Sequence, residues 1–277
     1  MADRPTLSRR LLLAGLMAAA HHPARGQAVP GEAPRPVPLP LPGLMSLRGQ
    51  AALRAGLDLE GTATAFRDGA GQLAGMAVRV GELLAEGLDV ELMLVQTDAI
   101  RGVDDLRAGR FEILLNAPPL MIEVAREVLY ADAYAHLDLA VVAPLAAPIH
   151  ASTALERKRL GVPAGRMRQL LPPRIPVSDF VIVPLAGLDA MDAAVSRGLV
   201  DALAIPSPFA RQLLARHASL EVKFSLGELW VAPACRFGDH DLLRATNTVL
   251  HLCRQEGLLQ ALHQGYYERY LPPVPFF

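Results

Sequence analysis

From residue 53 onward the apolar positions keep switching between two rhythms. Leu53–Leu57 is a short apolar run that reads as a strand. Residues 66–75, with Asp68-Gly69 inside, read as a tight hairpin. Met76, Val80, Leu83 and Leu84 then recur at helical spacing and predict a helix over 76–88. A strand at 89–95, a glycine-closed helical turn at 104–109, a strand at 112–116, a helix at 120–128 and a strand at 137–143 follow. Pro144 to Ser152 breaks the pattern, and a second set begins with a strand at 160–162. A short helix at 166–171 is stopped by Pro172-Pro173. Strands at 180–183 and 202–205 alternate with helices at 188–197 and 209–217. Strands at 221–224 and 230–236 lead to two closing helices, 241–255 and 258–270. Strict alternation of this kind predicts an α/β protein with mixed, mostly parallel sheets flanked by helices.

The first 50 residues follow neither rhythm. Leu11 to Ala20 is an uninterrupted apolar run behind Arg4, Arg9 and Arg10. It is too short to span a bilayer and fits the core of an export signal cleaved after Ala28. Ser8-Arg9-Arg10-Leu11-Leu12-Leu13 resembles a twin-arginine signal, so export by either the Tat or the Sec route is compatible with residues 1–28. Residues 29–45 form a Pro-rich linker, with Pro30, Pro34, Pro36, Pro38, Pro40 and Pro42 favouring an extended polyproline conformation. No cysteine lies near the cleavage site to carry a lipid, and no later segment is long and apolar enough to span a membrane. The mature chain is therefore expected in the periplasm.

Composition narrows the function without choosing it. With 52% hydrophobic and 20% charged residues over 277 positions, the chain is a globular protein of about two lobes, not a disordered or fibrous one. A formal net charge of -1 leaves no basic footprint for nucleic acid. Cys235 and Cys253 fall on a predicted strand end and far along the next helix, a separation that favours two buried thiols over a disulfide. The histidines of the mature chain, His136, His150, His217, His240, His251 and His263, lack metal-ligand spacing. No phosphate loop, dinucleotide fingerprint or nucleophile elbow is present, so no metal, cofactor or catalytic residue is expected. Tyr134, His136 and Asp138 alternate along one strand and read as a solvated face; Trp230 reads as a packing residue.

Six stretches, in order, resemble the bacterial extracellular solute-binding proteins of family 3. They are LRAGLDLEGTATAFRDGAGQLAGMAVRVGELLAEGL, DLRAGRFEILLNA, YADAYAHLDLAVV, RLGVPAG, AVSRGLVDALAI and GDHDLLRATNTVLHLCRQEGLL. The resemblance implies the two-lobed type II periplasmic-binding-protein fold. Lobe 1 would comprise 46–136 plus 231–277, lobe 2 would comprise 143–226, and hinge strands would lie at 137–142 and 227–230. It also implies a monomer that delivers a small molecule to the permease of an ABC importer. The family's ligand residues do not carry over. Val124 stands where an arginine usually meets the α-carboxylate, and Pro206 where an acid meets the α-amino group. Glu60-Gly61-Thr62-Ala63-Thr64 replaces the aromatic loop, and Arg166 replaces a hydroxyl.

A buried carboxylate without a cation, or an ammonium without an anion, costs several kcal/mol. The expected ligand is accordingly anionic and not an α-amino acid. Its predicted contacts are Glu60, Thr62, Thr64, Asn116, Arg166 and Ser207, with Arg166 at a helix start supplying the positive charge. Two other functions fit the same resemblance. One is a ligand-poor partner of a periplasmic quinoprotein dehydrogenase. The other is a dehydratase-like enzyme with Glu60 as its acid.

Overall fold

The structure is a computed structural model, and it describes residues 51–171 and 174–273. The expected signal peptide, 1–28, and the Pro-rich linker, 29–45, lie outside the described residues.

Two five-stranded sheets organise the chain. The first contains β1 (Ala52–Asp58), β4 (Glu91–Thr97), β5 (Ile113–Leu114), β6 (Leu129–Tyr130) and β12 (Ala234–Cys235), in the order β4-β1-β5-β12-β6. β1 runs parallel to β4 and β5, while β12 enters antiparallel between β5 and β6. The second sheet contains β7 (Ala135–Pro144), β8 (Arg159–Pro163), β9 (Val181–Leu185), β10 (Ala202–Pro206) and β11 (Leu220–Val231), in the order β11-β7-β10-β8-β9. β8 is parallel to β9 and β10; β7 is antiparallel to β10 and β11. A small hairpin, β2 (Phe66–Arg67) and β3 (Leu73–Ala74), stands apart.

The helices cover these sheets in the expected rhythm. They are α1 (Met76–Leu88), α2 (Gly102–Arg107), α3 (Ile122–Ala125), α4 (Gly187–Ser196), α5 (Ser207–Arg216), α6 (His240–Gln255) and α7 (Leu258–Tyr267). α1 buries Met76, Val80, Leu84 and Leu88, one residue per turn, against the first sheet. The fold is the two-layered α/β arrangement that the alternation predicts.

Local differences have physical causes. The helix predicted over 120–128 shrinks to the four residues of α3, because Pro118-Pro119 precedes it and Tyr130 bonds back to Pro118 O at 2.7 Å. The stretch 220–231 is one strand rather than two. It survives the glycine at 227 by shifting register between Val222 and Phe224 and again between Ser225 and Glu228. The segment predicted helical at 166–171 is a 3-10 turn, Gly165–Leu170. Tyr134 and His136 are not on a solvated face: they are 0% and 4% exposed. His136 lies 4.4 Å from the Trp230 ring, and its backbone meets the buried His263 on α7. Cys235 and Cys253 are free and buried, and burial pushes their thiols up to about 12 and about 11.

Chain passes between the sheets along β7 and β11. Beyond their paired ends, Tyr134 N donates to Val231 O at 3.0 Å and Ala131 N to Pro233 O at 2.8 Å. These bonds tie the pair directly to β6 and β12 of the first sheet.

In β1, Gly56 lies where a Cβ would sit 2.4 Å from the ring of Phe111, itself fully buried. The ring fills the space a side chain would need. Gly56→Ala should therefore destabilise the protein by about 1–3 kcal/mol through overpacking. Urea melts would measure it, and adding Phe111→Leu should recover part of the loss. An unchanged midpoint for Gly56→Ala would refute this account of the packing.

Candidate functional site

The ends of β1 and β8 meet in a seam between the sheets. Asp58 closes β1 and is 6% exposed. Its carboxylate accepts the amides of Glu60 at 2.8 Å and Gly61 at 3.0 Å, which turns the chain sharply away. Burial pushes its pKa up to about 7; the two amides oppose the rise, and the charges of Glu60 and Asp98 add to it. Asp98, across the same cavity, goes the other way. It is held below the usual carboxylate range, against the pull of burial, by bonds from Arg101 and from the amide of Ile100.

Asn116 sits behind Asp58. Its Oδ1 accepts Asp58 N at 2.9 Å, and its Nδ2 donates to Asp58 O at 2.6 Å and to Thr64 Oγ1 at 3.2 Å. The hydroxyls of Thr62 and Thr64 are 2.9 Å apart. All three side chains are buried. The structure thus brings Thr62, Thr64 and Asn116 together, as a network that fixes the loop after β1.

The far wall comes from the second sheet. After β8, Gly165 adopts φ +82, and a Cβ there would lie 2.1 Å from Ala99 O. Backbone touches backbone across the seam, and only glycine fits. The next residue, Arg166, reaches Glu127, which follows α3. Nη1 and Nη2 bond its two carboxylate oxygens at 2.6 and 3.1 Å, a bidentate pair. Arg107 adds a longer contact to Glu127 at 3.4 Å. The hydrogen bond from Arg166 holds Glu127 below the usual carboxylate range.

Arg166 therefore lines the cavity, but its charge is already met. The space enclosed with Asp58, Thr62, Asn116 and Pro118 is about 20 Å³, room for about one water molecule. Ser207 and Glu60 lie elsewhere. Ser207, at the start of α5, accepts Asp138 N at 3.3 Å. Glu60 is half-buried and faces Gly187 at the start of α4. Val124 is fully buried in the core. Sequence reasoning missed Asp58 and Glu127. Asp58 had a local signal, an aspartate ending a strand just before a glycine turn; Glu127, 39 positions from Arg166, had none.

Among the described residues, no group of three or more His, Cys, Asp or Glu is placed to hold a metal ion, and no helix is long and apolar enough to cross a membrane.

Two lobes joined by paired strands, with a seam at the strand ends, define a periplasmic-binding-protein architecture of type II. The profile of the bacterial extracellular solute-binding proteins, family 3, matches residues 53–269, and the chain belongs to that family. Solved structures share the fold at low identity. A mutant of ArgBP from T. maritima aligns with TM-score 0.73 and 21% identity, over 82% of this chain and 100% of that one. A solute receptor for L-cysteine from Neisseria gonorrhoeae aligns with TM-score 0.70 and 24% identity, over 81% and 93%. An ancestral amino acid-binding protein, described as a precursor of cyclohexadienyl dehydratase, aligns with TM-score 0.71 and 22% identity, over 81% and 99%. No curated protein matches the sequence.

The Asp58 environment yields a pH prediction. Its pKa rises from 3.8 to about 7 on folding, so the folded chain holds a proton the unfolded chain has released. The stability this group contributes is full below about pH 4 and is lost as pH rises through 7. Asp58→Asn removes the charge but keeps an oxygen for only one of the two amides, which bond different carboxylate oxygens, so a loss of about 1 kcal/mol accompanies it at every pH. The variant should therefore fall slightly below the native protein near pH 4 and gain on it by roughly 2–4 kcal/mol between there and about pH 8. Denaturant melts at the two pH values check this, and a difference independent of pH would overturn it.

Proposed function

We propose that this chain is an exported solute-binding protein whose lobes close over a small anionic ligand other than an α-amino acid, for delivery to an ABC importer. Residues 1–28 direct export, and 29–45 tether the folded part. Lobe 1 is 46–136 plus 231–277, lobe 2 is 143–226, and 137–142 with 227–230 serve as the hinge. The bidentate Arg166–Glu127 pair carries this reading, because it joins a residue after β8 of the second sheet to one beside β6 of the first. A contact of that kind forms only when the lobes close.

The ligand class follows from which charges are free. An α-carboxylate would meet buried Val124 and a guanidinium already neutralised by Glu127. An α-amino group would meet the proline that ends β10, not an acid. Asp58 leaves the small cavity hostile to anions, so an anionic ligand rests elsewhere along the seam.

One observation favours a second reading, the accessory partner of a periplasmic dehydrogenase. The cavity at Asp58, where most of the predicted ligand contacts gather, holds about 20 Å³, too little for a metabolite. A partner protein on this fold needs no such cavity.

A thermal-shift screen separates the two. A ligand at a hundred times its Kd adds about 2.7 kcal/mol of stability. Organic acids should raise the melting temperature and the proteinogenic amino acids should not. Stabilisation by an amino acid would overturn the ligand class, and stabilisation by none of the compounds would favour the accessory reading. Arg166→Ala removes a charged hydrogen-bonded contact and leaves Glu127 without its main partner. It should lower stability by about 1–3 kcal/mol and increase the radius of gyration in solution scattering. An unchanged scattering profile would refute the role of this pair in closure.

A further inference from the structure

The helices over the two sheets also meet each other, on a flank away from Arg166. α5 packs on β7, β10 and β11 of the second sheet, while α7 packs on α1 and α6 over the first. Arg211, midway along α5, crosses between them. Its Nη1 donates to Tyr267 O and its Nη2 to Tyr266 O, both at 3.2 Å, and the carboxylate of Glu268 lies 3.6 Å away.

Those acceptors are the last carbonyls of α7. The final carbonyls of a helix have no partner within it and carry a partial negative charge. α7 ends at Glu268 in the left-handed conformation, and its last turn carries no basic side chain of its own. The cation that favours such a terminus comes instead from α5, over the other sheet. The terminus is fastened to β7 rather than to α5: Arg269 pairs with Asp138 of β7, and His263 Nδ1 donates to Arg269 O at 2.8 Å. Parting the lobes would therefore pull Arg211 off the end of α7.

The two flanks differ in strength. Arg166 and Glu127 are 23% and 24% exposed and share two hydrogen bonds. Arg211 is 46% exposed and Glu268 84%, so water and salt compete for their contact. The Arg211 contact is the one that yields first.

Resting on the solute-binding reading above, we propose that the ligand-free chain rests closed, latched on both flanks by its own arginines, and that Arg211 is the release. How often Arg211 leaves the end of α7 then sets how often the seam opens to a ligand.

Distances between spin labels on the full chain test this. Gln72→Cys on the β2–β3 hairpin and Arg197→Cys after α4 provide exposed sites on the two sides, while the native Cys235 and Cys253 are buried away from the reagent. Without ligand, the native chain should give one short separation. Arg211→Gln should raise the ratio of long to short separations about three- to tenfold, and Arg211→Lys, which keeps the charge but not the fork, by less. Glu268→Gln removes only an exposed partner and should change the ratio less than about twofold. Arg166→Gln combined with Arg211→Gln should give mostly long separations. The latch falls if the ligand-free native chain already shows mostly long separations, or if Arg211→Gln changes nothing while the double variant opens. Either result leaves the solute-binding reading standing. If even the double variant keeps the short separation, the lobes do not part about this seam, and the closure on which that reading depends falls as well.

Discussion

Everything in this molecule hangs on the antiparallel pairing of β7 with β11. These strands run ten and twelve residues, far longer than β5, β6 or β12. Their upper parts build the second sheet and their ends bond into the first, so one ladder fixes the distance and angle between the two sheets. Two shifts of register break that ladder, the second between Ser225 and Glu228. Bulges lose hydrogen bonds and increase local twist, which makes a long ladder bendable at a chosen point. β7 is buried nearly throughout, so bending there has to move packed groups together. His136 against Trp230, and His263 bonded to the His136 backbone, show how tightly that point is filled.

Charges then decide how the sheets meet. At the seam Asp58 is a buried carboxylate with no cation beside it among the described residues, and Arg166 with Glu127 is the tightest of the ion pairs that span it, ahead of Arg211–Glu268 at 3.6 Å and Arg166–Asp104 at 4.0 Å. Their energetics differ in kind. Asp58 is accommodated by raising its pKa to about 7, so its charge is only partly given up at neutral pH. The Arg166–Glu127 pair keeps both charges because two short bonds satisfy each partner. The first makes a site that rejects anions, and the second turns a would-be anion receptor into a clasp.

The fold was legible in the sequence because alternation of strand and helix is a local property. The helical face of Met76, Val80 and Leu84 and the hairpin at Asp68-Gly69 each needed only a dozen residues of context. The long-range pattern was legible too, through the six stretches that resemble family 3. The site was less so. Thr62, Thr64 and Asn116 do come together, yet their hydrogen bonds are spent on one another and on Asp58. Arg166 stands out as an arginine opening a helical turn, but its partner Glu127 depends on how two lobes close. Tyr134 and His136 looked solvated because strand alternation says nothing of what covers a face; α7 covers this one from 127 residues further along.

Steric closure and open volume point in the same direction. At Gly165 the two sides of the seam touch so closely that even a methyl group would collide with Ala99. Admitting a ligand beside Asp58 would require breaking that contact and the Arg166–Glu127 pair together. On the far side of the Thr62–Thr64 loop Arg211 also bridges the two sides, donating to the carbonyls of Tyr266 and Tyr267 at 3.2 Å, yet the open space there is more than tenfold larger than at Asp58. The loop after β1, Glu60-Gly61-Thr62-Ala63-Thr64, carries no aromatic side chain to prop these spaces apart. Small side chains let the seam close at Asp58 itself, while open space remains on both flanks, about 400 Å³ beside Arg166 and Ile100 on one and the opening under the exposed Phe66 on the other.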